Sequence, residues 1–337
     1  MRGNEPPILS NRRRRVVRWA GYLAGGLVCL LMFLACAGAL YQWIAGSWDR
    51  RSNPPPGRFV DVNGLRMHLS CIGQGSPTVV LDSGLSDTWL HWYKVQPEVA
   101  KFTRVCAYDR AGVGWSDPRP GPRTSRVMAE ELHTLLRNAG LAPPFVLAGH
   151  SMGGLDSLMF ASLYRPEVAG MVLVDSSHPD QLRRFPPEPG SFVEQWRRAI
   201  ERDRVLMPFG IPRLFGWCGT ALPERRAAFR SFDCTVQQKL GTIAEIAGFN
   251  DSLDQVRAAG SLGDIPLIVV SQAPSTGDVK ASKAFLAVWS SLQEELARLS
   301  TRGSRVIAEG SSHQVHRDRP DVVIAAIRDV VAQCRRR

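Results

Sequence analysis

The stretch FVLAGHSMGGLDS, Phe145 to Ser157, decides the reading of the fold. Its first half is an apolar run of strand length. Its second half is made of helix formers. Between them stands Ser151, flanked by Gly149 and Gly153. A strand that passes into a helix over so few residues must turn sharply, and the residue at its tip is strained. Side chains at the flanking positions would collide there, and glycine removes the collision. The pattern predicts a serine hydroxyl raised over the end of a buried strand, with helix N-terminal N–H groups beside it.

The same alternation extends outward. RFVDV and LRMHLSC flank Asn63-Gly64, the strongest short hairpin signal. SPTVVLDSG, TRVCAYD, PPFVLAGH and VAGMVLVDSS read as buried strands, and IPLIVVSQ and SRVIAEG follow late in the chain. Amphipathic helical patterns lie between most of them, at 88–102, 125–139, 152–164, 281–299 and 320–334. Strands alternating with helices predict an α/β fold: a mostly parallel eight-stranded sheet with helices on both faces. The interval 179–263 breaks the alternation. It is rich in Pro, Arg, Trp and Phe, with short helical patterns, and reads as an inserted helical cap.

Nearer the N-terminus, no charged residue or histidine occurs from Trp19 to Trp48. That run exceeds the roughly 20 apolar residues needed to cross a bilayer, and aromatic residues sit at both ends. It predicts an N-terminal transmembrane helix. The alternative is a cleaved signal peptide, with the cut near Ala35-Cys36-Ala37 or Ala37-Gly38-Ala39. Six arginines precede the span and three follow it closely, which leaves the N-terminus in the cytoplasm and exports the rest. The expected organisation is a basic N-terminus at 1–18, a span at 19–48, a Pro-rich linker at 49–57, a core at 58–178 and 264–337, and the cap at 179–263.

Residues 1–52 carry eight arginines against Glu5 and Asp49, so they supply +6 of the formal charge of +11. The rest includes the arginine tail. The charge is therefore mostly a topology signal, and nucleic acid is set aside as a partner. There is no phosphate-binding loop, no His-Glu-x-x-His, no paired-cysteine metal site and no dinucleotide fingerprint, so no cofactor or metal is expected. Five cysteines lie outside the span, so at least one stays unpaired.

Three segments together resemble the α/β-hydrolase family, over about residues 58 to 334. GHSMGG is similar to its nucleophile elbow, YDRAGVGWSDP (108–118) to the turn after its fourth strand, and GSSHQVHRDRPDVV (310–323) to its histidine loop. The resemblance implies Ser151 as nucleophile and His313 as general base, with His316 the alternative. His68, His91 and His133 read as structural or solvent-facing, His150 as a packing residue, and His178 as a residue that could line the pocket. The acid is Asp175 at the tip of the sixth strand or Asp278 past the seventh. The backbone N–H groups of Leu85 and Met152 are the expected oxyanion donors. Asp82 departs from the histidine many relatives carry there. The family's sheet order sets the second and fourth strands side by side, which implies a Cys71–Cys106 bridge; Cys218 and Cys234 could form another in the cap.

A serine rather than an aspartate at the elbow implies an acyl-enzyme. The reading is a membrane-anchored serine hydrolase cleaving lipid-like or other apolar esters. Phe185, Trp196, Phe209, Phe215 and Trp217 of the cap favour an apolar group. The alternatives are a peptidase of the same fold, anchoring a peptide terminus on Glu194 or Glu224, and a non-catalytic binding protein. The sequence leaves the oligomeric state open.

Overall fold

In the computed structural model, residues 8–186, 192–273 and 282–336 are described. Eight strands form one sheet: β1 (Arg58–Val62), β2 (Leu65–Ile72), β3 (Thr78–Asp82), β4 (Val105–Tyr108), β5 (Phe145–His150), β6 (Val168–Val174), β7 (Leu267–Gln272) and β8 (Gly303–Ala308). Their order is β1-β2-β4-β3-β5-β6-β7-β8. β2 runs antiparallel to both neighbours, and every later pairing is parallel. The central strands β3, β4, β5 and β7 are buried along their whole length, which is why they read as unbroken apolar runs.

Helices α2 (Ser125–Asn138) and α3 (Met152–Leu163) cover one face of the sheet, packing Leu132, Leu135, Leu155 and Phe160 against Val80, Leu147 and Leu173. The other face takes the C-terminal helix, which brings Ile327 and Val330 onto Val79, Val146 and Val172. The expected helix at 88–102 is instead two short turns, Trp89–Trp92 and Gln96–Val99. Thr88 begins the first, and Pro97 sits in the first turn of the second, so the pattern hid a break.

Between β6 and β7 lie the helices of the insertion. One of them, α4 (Val236–Arg257), runs 22 residues, longer than the short patterns expected there. Gln238, Lys239, Thr242, Glu245 and Ser252 are buried on it beside Leu253 and Val256. Polar groups thus interrupt its apolar stripe, which is why the periodicity is weak in the sequence.

The N-terminal helix α1 (Ile8–Ser52) holds a segment long and apolar enough to cross a membrane. It continues through the start of the expected linker. Its C-terminal part docks on the insertion: Gln42 Nε2 donates to the Cys234 carbonyl at 2.8 Å, Ser231 Oγ to the Asp49 carbonyl at 3.0 Å, and Arg213 forms an ion pair with Asp49. These contacts keep residues 49–52 helical.

Both bridges are formed. Cys71 and Cys106 face each other in the β2–β4 register, and Cys218 pairs with Cys234 in the insertion. Cys334 forms no disulfide among the described residues, and its thiol donates to the Ala169 carbonyl.

Candidate active site

Ser151 sits at the junction of β5 and α3 with φ 51° and ψ −119°, outside the ordinary regions for a residue with a side chain. The two glycines make this possible. A Cβ on Gly149 would strike the Gly153 carbonyl, and one on Gly153 would lie 2.5 Å from the Asp82 carbonyl oxygen. The Ser151 N–H donates to the Val174 carbonyl at 3.2 Å, and its own carbonyl accepts from Gly154 N and Ser177 N at 3.0 Å each. These bonds hold the turn between β6 and α3.

His313 lies in the loop after β8. Its Nε2 is 3.0 Å from Ser151 Oγ, and its Nδ1 is 2.6 Å from Asp175 Oδ2. Asp175 stands past the end of β6 with φ 43°, fully buried. Its Oδ1 accepts from Gln272 N at 3.0 Å and Trp289 Nε1 at 2.9 Å, and its Oδ2 also accepts from Gln272 Nε2 at 3.0 Å. Such a carboxylate is oriented from three sides before it meets the imidazole. Asp278, the other candidate acid, lies outside the described residues.

His316 does not reach Ser151 by any hydrogen bond among the described residues. It is buried against Trp92 and His150, with ring centroids 4.8 and 4.3 Å away. Burial, with His150 and His91 nearby, holds its pKa well below the ordinary value. His178 lines a cleft with Arg257, Glu295 and Leu299 that includes none of Ser151, His313 and Asp175. Glu194 pairs with Arg197 and Arg198, and Glu224 with Lys94 at 3.4 Å. Neither glutamate is buried, so neither supplies the buried anchor that the peptidase alternative requires.

Leu85 and Met152 begin, respectively, the turn after β3 and the helix after Ser151. Among the described residues neither N–H donates a hydrogen bond, which leaves both free for an incoming oxygen. Gly84 brings the first of these loops close: a Cβ there would lie 2.8 Å from His150 Nδ1.

The sequence reading missed what holds that loop. Arg110, buried, donates from Nη1 to Asp82 Oδ1 at 2.8 Å and to the Ser83 carbonyl at 2.6 Å. Its Nη2 donates to the Gly84 carbonyl at 2.6 Å, and its Nε to Glu245 Oε1 of α4 at 2.8 Å. Glu245 Oε2 in turn accepts from Ser86 N at 2.7 Å. Burial raises the Asp82 carboxyl to about 6, although Arg110 and the Tyr108 hydroxyl, 2.8 Å from Oδ2, pull the other way. The signal available was Arg110 inside YDRAGVGWSDP together with the unusual Asp82.

A family model described as "alpha/beta hydrolase fold" matches residues 77–221. A Bacillus subtilis protein of uncharacterized function is 26% identical over 77% of this chain and 85% of its own length. An uncharacterized Schizosaccharomyces pombe protein is 27% identical over 77% of this chain, which spans about half, 52%, of that relative. Among solved structures, a thermophilic esterase from Thermogutta terrifontis is 25% identical with a TM-score of 0.58, over 82% of this chain and 98% of its own. The matched core, the strand order and the serine turn at the end of β5 show that the chain has the α/β-hydrolase fold.

Proposed function

We propose that the protein is a serine hydrolase that cleaves carboxylic esters through an acyl-enzyme, acting at a membrane. The observation that carries this reading is the continuous Ser151–His313–Asp175 chain, 3.0 Å and then 2.6 Å. His313 takes the Ser151 proton as the oxygen attacks the ester carbonyl, while Asp175 holds the ring with Nδ1–H toward itself and stabilises the imidazolium. The Leu85 and Met152 N–H groups bind the oxyanion. His313 then protonates the departing alkoxide, and the same ring activates water to release the acid. An aspartate nucleophile would serve epoxides or halides; a serine serves acyl groups. The likeness to an esterase supports an ester over other acyl substrates.

The long apolar helix supports a membrane anchor, and the arginines before it support a cytoplasmic N-terminus with the hydrolase core exported. The two disulfides fit an oxidising compartment. Exposed Phe209, Leu214, Phe215 and Trp217 of the insertion, which α1 contacts, favour an apolar, lipid-like substrate reached from the bilayer.

The test is labelling of the full chain by a fluorophosphonate, alongside a panel of p-nitrophenyl esters of rising chain length. Labelling that disappears in Ser151→Ala, with turnover favouring longer acyl chains, is the expected result. A folded wild type that takes no label where a known esterase does would overturn the reading.

A further inference from the structure

His150 stands directly before the nucleophile Ser151 in the chain. Its ring is buried, and Nε2 donates to the His313 carbonyl at 2.9 Å. With the proton committed there, the neutral ring carries its lone pair on Nδ1. Nδ1 has no hydrogen-bond partner among the described residues, and it faces Asp87 Oδ2 at 3.7 Å. The Nδ1 lone pair therefore points at a carboxyl oxygen.

His316 completes the group. It is buried, its Nδ1 also lacks a partner among the described residues, and it packs on His150. One ligand atom from each of Asp87, His150 and His316 can be chosen so that all lie within 4.8 Å of one another. A divalent cation meets all three at once. The outer contacts are those a metal site needs. The His313 carbonyl fixes the His150 tautomer, and His91 Nε2 donates to Asp87 Oδ1 at 3.0 Å. Thr88 N donates to His91 Nδ1 at 3.0 Å, so the His91 proton is on Nε2. The nearby positive charge of Arg110 is already matched by Asp82 and Glu245.

We propose that Asp87, His150 and His316 bind one divalent transition-metal ion, with two imidazoles and a carboxylate as ligands and water completing the shell. The ligand set suits zinc. The ion's place in the chain gives its role. Asp87 follows Leu85 by two residues, His150 precedes Ser151, and His316 follows His313 by three. One ion thus clamps the three loops that carry the oxyanion donor, the serine and the imidazole. It positions these groups and does not itself touch the ester. No sequence motif announces it, because each loop gives a single ligand. The proposal stands apart from the esterase reading, since its geometry holds whatever Ser151 attacks.

The experiment uses the full chain in detergent, without an oligohistidine tag, stripped with a chelator and titrated with zinc chloride against a chromophoric competitor. The expected result is one zinc per chain, a rise in Tm on binding, and an affinity at least about tenfold weaker in both Asp87→Asn and His316→Gln. His178→Gln, outside the cluster, should keep the full stoichiometry. Circular dichroism identifies any variant that fails to fold, in which case the near-isosteric Asp87→Asn and the wild-type Tm shift decide. Wild type that binds no zinc, or folded Asp87→Asn that binds zinc as tightly as wild type, overturns the proposal. Fluorophosphonate labelling of the same samples reports on the hydrolase reading separately.

Discussion

Asp175 and His313 are 138 residues apart in the chain, and their Oδ2 and Nδ1 atoms stand 2.6 Å apart. The carboxylate comes from the end of β6, the imidazole from the loop after β8, and β7 lies between those strands in the sheet. The gap is bridged because Asp175 turns at φ 43° over the end of β7, where Gln272 supplies two hydrogen bonds to it.

Asp175→Asn should therefore keep the fold and lose turnover. The amide would set its NH2 or its oxygen against donors that now meet two acceptor oxygens, and His313 would lose its preferred tautomer. A fall in kcat of about 10³- to 10⁴-fold is expected, with much less change in KM. Asp278→Asn should stay near wild type. Steady-state ester hydrolysis of both variants is the measurement, and normal turnover in Asp175→Asn would remove it from the mechanism.

Much of this was legible in the sequence, and the reasons are local. Gly149 and Gly153 mark a turn that only glycine permits, and the fully buried strands announce themselves as apolar runs. What escaped was carried by tertiary partners. The length of Val236–Arg257 was hidden because buried Gln238, Lys239 and Glu245 break its stripe. Nothing in the sequence singled out Arg110 by itself, since its partners Asp82 and Glu245 lie 28 and 135 residues away. Asp82, an oddity beside the relatives, makes sense only once that guanidinium is seen.

Arg110 links the loop after β3 to the insertion, so its loss should be felt in both. Arg110→Met leaves Asp82 and Glu245 buried without their cation, which should destabilise the chain by about 3–5 kcal/mol. Glu245→Gln is the milder probe. It keeps an acceptor for Ser86 N but weakens the grip on Arg110, so kcat should fall while Tm drops only slightly. Thermal unfolding paired with ester kinetics separates the two effects. An Arg110→Met protein as stable as wild type would show the network to be dispensable.

Acid should weaken the native state through the buried histidines. His150 has a folded pKa of about 4 against an unfolded value of 6.5, so the unfolded chain binds more protons between those limits. Its contribution is whole above about pH 6.5 and is lost progressively as pH falls toward 4, reaching about 3 kcal/mol at the low end. His316, also depressed, acts in the same direction, whereas Asp82, raised to about 6, acts against it. The test is therefore a comparison. Wild type should lose stability relative to His150→Asn as the pH drops from 7 to 4, in chemical denaturation at each pH. A constant difference between the two proteins across that range would contradict the buried neutral ring.

The Cys218–Cys234 bridge closes a 16-residue separation in the insertion, and the Cys234 carbonyl is also where Gln42 of the N-terminal helix docks. The bridge thus stabilises both the insertion and its seat on α1. Replacing both cysteines by serine should cost about 3 kcal/mol, the loop-closure scale for a ring of this size. The loss should be local, because the Cys71–Cys106 bridge and the sheet are untouched. Hydrogen exchange should rise between residues 207 and 234 and at the C-terminal end of α1, with the sheet amides unchanged. Unchanged exchange at the docking end of α1 would mean that the helix is held by its contacts to Arg213 and Ser231, and that the bridge serves only the insertion.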